Sequence, residues 1–145
     1  MKTLLTIAFV VISTTLSAQI TPSVCFEPIG LGSGAKVEVQ VSRRMGVYTS
    51  CTQGKYGMFC ERVGFSKYSI GLVAHKRTGV FFQYGMTYSR CEGAGRDYIF
   101  MGKTITPELG FGYKYKGGLN IGVRYNPLKI ESTFDIGYSF RFKNH

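Results

Sequence analysis

What chemistry this sequence holds lies in two histidines, four cysteines and a few charged residues. His75 and His145 are the only imidazole bases, and base catalysis needs a nucleophile within hydrogen-bond reach of the base. His75 lies beside the turn Lys76–Gly79 and His145 is terminal. Neither belongs to a base–nucleophile constellation, so the protein is not expected to be an enzyme. Gly110-Phe111-Gly112 and Gly93-Ala94-Gly95 are not followed by a helical pattern, which a phosphate cradle needs. Cys25, Cys51, Cys60 and Cys91 contain no CxxC pair, which argues against a zinc site. Their even number in an exported chain permits two disulfides with three possible connectivities. The Cys51–Cys60 stretch could be a loop closed by one of them. No metal and no cofactor is expected.

The charged residues of the second half are more informative. Glu108, Lys114, Arg124, Glu131, Asp135 and Arg141 all fall on one face of an alternating pattern. With Asn126–Lys129 as the turn, Arg124 stands opposite Glu131, Gly122 opposite Thr133 and Asn120 opposite Asp135. Buried charges are tolerated only when paired. In a narrow barrel this set therefore reads as a structural network that plugs the lumen, with an ion path as the functional alternative.

The elements that must position these residues are strands. Ile130, Ser132, Phe134, Ile136, Tyr138, Phe140 and Phe142 alternate with Glu131, Thr133, Asp135, Gly137, Ser139 and Arg141. This is the period-two signature of a strand between two environments. It recurs over Leu119–Tyr125, Ile105–Tyr115, Val80–Tyr88 (with Phe81 an exception), Tyr68–Ala74 (with Val73 an exception) and Ala35–Val41. Lys116-Gly117-Gly118 suits a three-residue hairpin loop. Residues 91–103 form a longer connection. Over Arg43–Lys67 two readings compete: short strands near Gly46–Cys51 and Tyr56–Val63, or two long strands joined by the Cys51–Cys60 loop. The first gives eight strands, the smallest common membrane barrel, and is preferred.

Residues 1–18 read as a signal peptide: Met1-Lys2, an apolar run from Leu4 to Ile12 too short to span a membrane, and small residues before cleavage after Ala18. Residues 19–34 read as an N-terminal leader or extra strand, and residues 35–145 as the barrel domain. The fold class is thus all-β: a small antiparallel up-and-down barrel of eight strands after a cleaved signal peptide. A formal net charge of +10 would suit nucleic acid. Export makes outer-membrane lipid and its anionic headgroups the more natural partners.

Alternation does not say which face is inside. Bulk does: eight strands leave room only for side chains to fill the interior. Glycine, serine, threonine and a few long charged chains fit there, and many aromatics do not. Tyr68, Tyr88, Tyr115, Tyr125 and Tyr138 near strand ends suit an aromatic girdle. The prediction is that Phe134, Ile136, Tyr138, Phe140 and Phe142 point outward and Thr133, Asp135, Gly137 and Ser139 inward. The alternative is a soluble secreted or periplasmic barrel that binds an apolar ligand with its aromatic face inward.

The segment Ile105-Thr106-Pro107-Glu108-Leu109-Gly110-Phe111-Gly112-Tyr113-Lys114-Tyr115, with Leu119–Tyr125 and Phe134–Phe142, resembles small outer-membrane β-barrel proteins of the Bacteroidota type. The resemblance implies an eight-stranded barrel in the outer membrane with both termini periplasmic. Residues 91–103 then face outside, with Arg96 and Asp97 as candidates for contacting an external partner. The role implied is structural, adhesive or surface-interacting.

Overall fold

The computed structural model describes residues 19–28, 31–56, 63–92 and 103–141. Their strands are β1 (Gln19–Glu27), β2 (Gly32–Gln40), β3 (Met45–Tyr56), β4 (Val63–His75), β5 (Val80–Glu92), β6 (Lys103–Lys114), β7 (Leu119–Asn126), β8 (Glu131–Tyr138) and the short β9 (Phe140–Arg141). Each strand pairs antiparallel with the next, and β1 pairs with both β2 and β8–β9, so the sheet closes on itself. β9 continues β8 after a break at Ser139, whose N–H donates to Gly118 O at 2.8 Å. The two segments form the eighth wall strand. Closure leaves no unpaired edge, the condition for a sheet to sit in lipid.

The strand count matches the sequence expectation, but the strands are drawn differently. The stretch read as leader or extra strand supplies β1, which closes the barrel through Val24–Ile136 and Cys25–Asp135 pairing. Met45–Tyr56 and Val63–His75 are two long strands, as in the second of the two sequence readings, but β3 runs through Cys51 to Tyr56, so the segment from Cys51 is not all loop. Cys25, Cys51 and Cys91 are free thiols, so the bridge that the Cys51–Cys60 spacing allowed is not formed. Cys51 stands on the outer face, and Cys60 lies outside the described residues. Residues 1–18 and 93–102, with Arg96 and Asp97, and residues 142–145, with Phe142 and His145, also lie outside them.

Two turns follow one design. In Lys76–Gly79 and Tyr115–Gly118 the last N–H donates to the carbonyl of the first residue, at 3.2 and 2.9 Å. Each ends on a glycine at positive φ, +93° at Gly79 and +95° at Gly118. This is the three-residue loop expected at Lys116–Gly118, here closed by a glycine bulge. These turns, residues 41–44 and both described chain ends lie at one end of the barrel. Residues 28–31, 57–62, 93–102 and 127–130 connect strands at the other end, which therefore carries the longer connections.

Alternation sorts the wall cleanly. Phe134, Ile136, Tyr138 and Phe140 are 47–57% exposed, while Thr133, Asp135 and Ser139 are buried. Ile70, Leu72, Tyr84, Leu109, Phe111 and Ile121 join the outer face. Between the rims the described outer face carries no charged side chain; Lys55, Arg90 and Lys103 stand at its loop end. The aromatics therefore face outward, and the apolar inner cavity that the soluble-barrel alternative requires is replaced by a polar interior. The two exceptions to alternation, Val73 and Phe81, turn inward and pack with Tyr48 as a small apolar cluster.

Candidate functional site: the polar lumen

Long charged side chains reach the barrel axis from opposite walls. Arg124, 2% exposed, occupies the centre. Its Nε and Nη2 donate to Asp135 Oδ2 and Oδ1, both at 2.9 Å, a two-pronged pairing that suits the guanidinium fork. Nη1 donates to Glu108 Oε1 at 3.1 Å and to Ser50 Oγ at 2.7 Å, and Nη2 to Cys25 Sγ at 3.3 Å. Lys36 Nζ donates to Asp135 Oδ2 at 2.9 Å. Glu108 also accepts from Tyr48 Oη at 2.8 Å and Thr87 Oγ1 at 3.1 Å. Ser69 Oγ reaches its second oxygen at 3.4 Å. The Tyr48 ring faces both cations, with Lys36 Nζ 5.3 Å and Arg124 Cζ 5.7 Å from its centroid.

This network takes a residue from each of β1 to β8. Its two cations and two carboxylates balance, so charges that would be prohibitive singly are held as a neutral, buried group. Two smaller groups flank it. Towards the loop end Lys67 Nζ binds Glu27 Oε1 at 2.6 Å and Glu131 Oε2 at 2.5 Å. At the termini end His75 Nε2 and Glu38 Oε1 are 2.6 Å apart. The interior is thus stoppered by side chains along its length.

The expected lumen set meets this arrangement in part. Glu108, Arg124 and Asp135 come together at the centre. Glu131 faces the lumen but does not pair with Arg124; that expected pair is corrected to Arg124–Asp135 and Lys67–Glu131. The cause is the register. β7 runs one residue further than expected, Asn126 pairs with Glu131, and Arg124 stands opposite Thr133. The shift is two residues in total, so every side chain keeps its face while changing its partner. Lys114 lies half-buried at the termini-end mouth. The Arg141 backbone pairs with Gln19, and its side chain is outside the description. Sequence reasoning left Lys36, Tyr48, Lys67 and Glu27 out of the network. Lys36 alternates visibly with Ala35 and Val37, and that signal could have placed it inside.

No family's sequence model matches the chain, and no curated protein matches it in sequence. Solved structures do. The outer membrane protein Ail of Yersinia pestis, in a phospholipid bilayer nanodisc, aligns with a TM-score of 0.59 at 14% identity, over 86% of this chain and 99% of that one. Ail of the same organism, in complex with the heparin analogue sucrose octasulfate, aligns with a TM-score of 0.51 at 18% identity, over 87% and 96%. The likeness is one of fold. This chain has the architecture of a small eight-stranded outer-membrane β-barrel.

Proposed function

We propose that the protein is a non-enzymatic barrel of a bacterial outer membrane that works through the loops opposite its termini, in a structural, adhesive or surface-interaction role. The carrying observation is a wall uncharged between its rims and rich in aromatic and aliphatic side chains, wrapped around a lumen closed by ion pairs. A charge at mid-depth on a lipid face costs about 2–4 kcal/mol for Arg or Lys, and none is spent here. A lumen so filled offers no route for a solute, which leaves the loop end as the working surface. His75 supports the non-enzymatic reading, since its ring nitrogen is engaged by Glu38 at the termini end. The motifs of the last third further favour the Bacteroidota type.

Short turns at the end with the termini and longer connections at the other match bacterial barrels whose termini are periplasmic. On that reading Arg96 and Asp97 face outward from the cell. Lys55 and Lys103, exposed at the same end, favour an anionic external partner. Ail's complex with a sulfated sugar analogue makes a sulfated glycan the first partner to try. The experiment is Ala94→Cys in a background lacking the native cysteines, labelled with a thiol reagent that cannot cross the outer membrane. Strong labelling of intact cells is expected. Labelling only after the membrane is opened would overturn the orientation, and recovery of the protein in the soluble periplasmic fraction would overturn the membrane reading.

A further inference from the structure

Five cations gather in the turns at the end of the barrel that carries the termini: Arg43 and Arg44 between β2 and β3, Lys76 and Arg77 between β4 and β5, and Lys116 between β6 and β7. Among the described residues the one carboxylate at this end is Glu38, which His75 engages. The β4–β5 and β6–β7 turns lie side by side, because Val80 pairs with Tyr113 and Lys114 N–H donates to Gly79 O at 2.8 Å. The mouth of the lumen at this end, beside these turns, is a recess of about 510 Å³ whose lining includes Arg43, Lys76, Arg77 and Lys116 together with the lumen-facing His75 and Ser139.

The recess also reaches the outer wall. Tyr113 and Tyr115 line it, are 43% and 48% exposed, and pack edge to face with centroids 4.8 Å apart. Lys76 Nζ lies 5.3 Å from the centroid of Phe82, a ring of the outer face. The cations are thus layered directly beyond outward-facing aromatics.

We propose that this recess binds the phosphate of an anionic phospholipid headgroup in the leaflet at the termini end. The inference rests on the membrane reading above. Headgroup phosphates lie just beyond the depth of aromatic girdles, where these cations stand, and phosphate accepts the strong charge-assisted hydrogen bonds that Arg and Lys donate. A soluble anion would meet the cations but leave the tyrosine lip unused. A lipid uses both, because its acyl chains continue down the wall past Tyr113 and Phe82.

The test is lipid selectivity of the full mature chain in phosphatidylcholine vesicles, read by electron spin resonance with spin-labelled phosphatidylglycerol and phosphatidylcholine. The expected preference for phosphatidylglycerol is about five-fold or more, the factor that one cation near an anionic surface confers, and it should weaken at high salt. It should fall to near parity in the Arg43→Gln/Lys76→Gln/Arg77→Gln/Lys116→Gln variant and persist in Lys55→Gln/Arg90→Gln/Lys103→Gln. If the quadruple variant does not fold, Arg77→Gln and Lys116→Gln singly, both on exposed turns, should each reduce the preference. Parity in the wild type, or a preference that survives loss of the turn cations, would overturn the proposal. So would inorganic phosphate binding as tightly as short-chain phosphatidylglycerol in micelles, which would mean that the site takes a free anion. Absence of a heat-modifiable folded band from the vesicles would overturn the membrane reading and this proposal with it. A folded band with no selectivity overturns this proposal alone.

Discussion

Arg124 is the residue on which most of the lumen depends, since one guanidinium satisfies two carboxylates, a serine and a thiol. Arg124→Ala leaves Glu108 and Asp135 buried with most of their compensation gone, although Lys36 still holds Asp135. Breaking a buried pair from one side costs about 3–5 kcal/mol. The unfolding free energy in urea, measured in detergent micelles, is expected to fall by about that amount. Adding Glu108→Gln and Asp135→Asn should recover part of the loss, because the stranded charges are then removed. A loss below about 0.5 kcal/mol in the single variant would mean that water reaches the site. That Arg124, Glu108, Asp135 and Glu131 share a face was legible in the sequence, because period two is a local property of the chain. Their partners were not. Lys36 and Asp135 are 99 positions apart, and Lys67 reaches Glu131 across the lumen from β4 to β8. Such contacts depend on closure, which no local pattern encodes.

Strands and turns show the same division between local and distant determinants. The glycine-ended turns were readable because a positive φ at Gly118 is a demand of that turn alone. The β7–β8 turn was misjudged by one residue on each side. Asn126 stays in the strand and its Oδ1 accepts from Leu128 N–H at 3.1 Å and Lys129 N–H at 3.2 Å, a local cap that lengthens the loop. Ile130 then takes φ +54°, a conformation costly for a branched side chain, which alternation cannot foresee. The eight-strand count came out right although one strand read as a leader or extra strand outside the barrel and one was split. β1 was hidden by Pro22 and Pro28, and β3–β4 by inward-facing Tyr48, Phe65 and Val73, which put apolar residues on both faces. These rings have space because glycines stand beside them. A Cβ on Gly32 would lie 2.7 Å from Phe65 Cζ and 3.3 Å from the nearest backbone atom, Gln53 O. Gly32→Ala is therefore expected to cost about 1–3 kcal/mol, as overpacked sites do. Phe65→Leu in the same chain should return much of that loss, a coupling that a double-mutant cycle on unfolding midpoints would measure. Strict additivity of the two substitutions would show that Phe65 is not what fills the space beside Gly32.

For the whole molecule the sequence carried one argument that needed no neighbours, namely bulk. An eight-stranded wall encloses too little volume for the many aromatics of one face, so they must point out. What the sequence left open was whether the charged interior is a stopper or a path. The structure puts Arg124, Lys36, Glu108 and Asp135 at one level with at most 5% exposure, and Tyr48, Val73 and Phe81 close the space beside them. Lys67 with Glu27 and Glu131 fills the lumen on one side of that level, and His75 with Glu38 on the other. An ion crossing the barrel would have to break a fork of two 2.9 Å hydrogen bonds and leave at least one buried carboxylate without its cation. Conduction requires sites that an ion can both enter and leave, and a central level whose two cations and two carboxylates already pair with one another offers no such site. Wild-type protein reconstituted into planar bilayers is therefore expected to show no stepwise conductance at any salt concentration. Insertion would be verified on the same preparation by the heat-modifiable band. Discrete, reproducible current steps from the folded protein would show instead that the network opens and that these residues line an ion path.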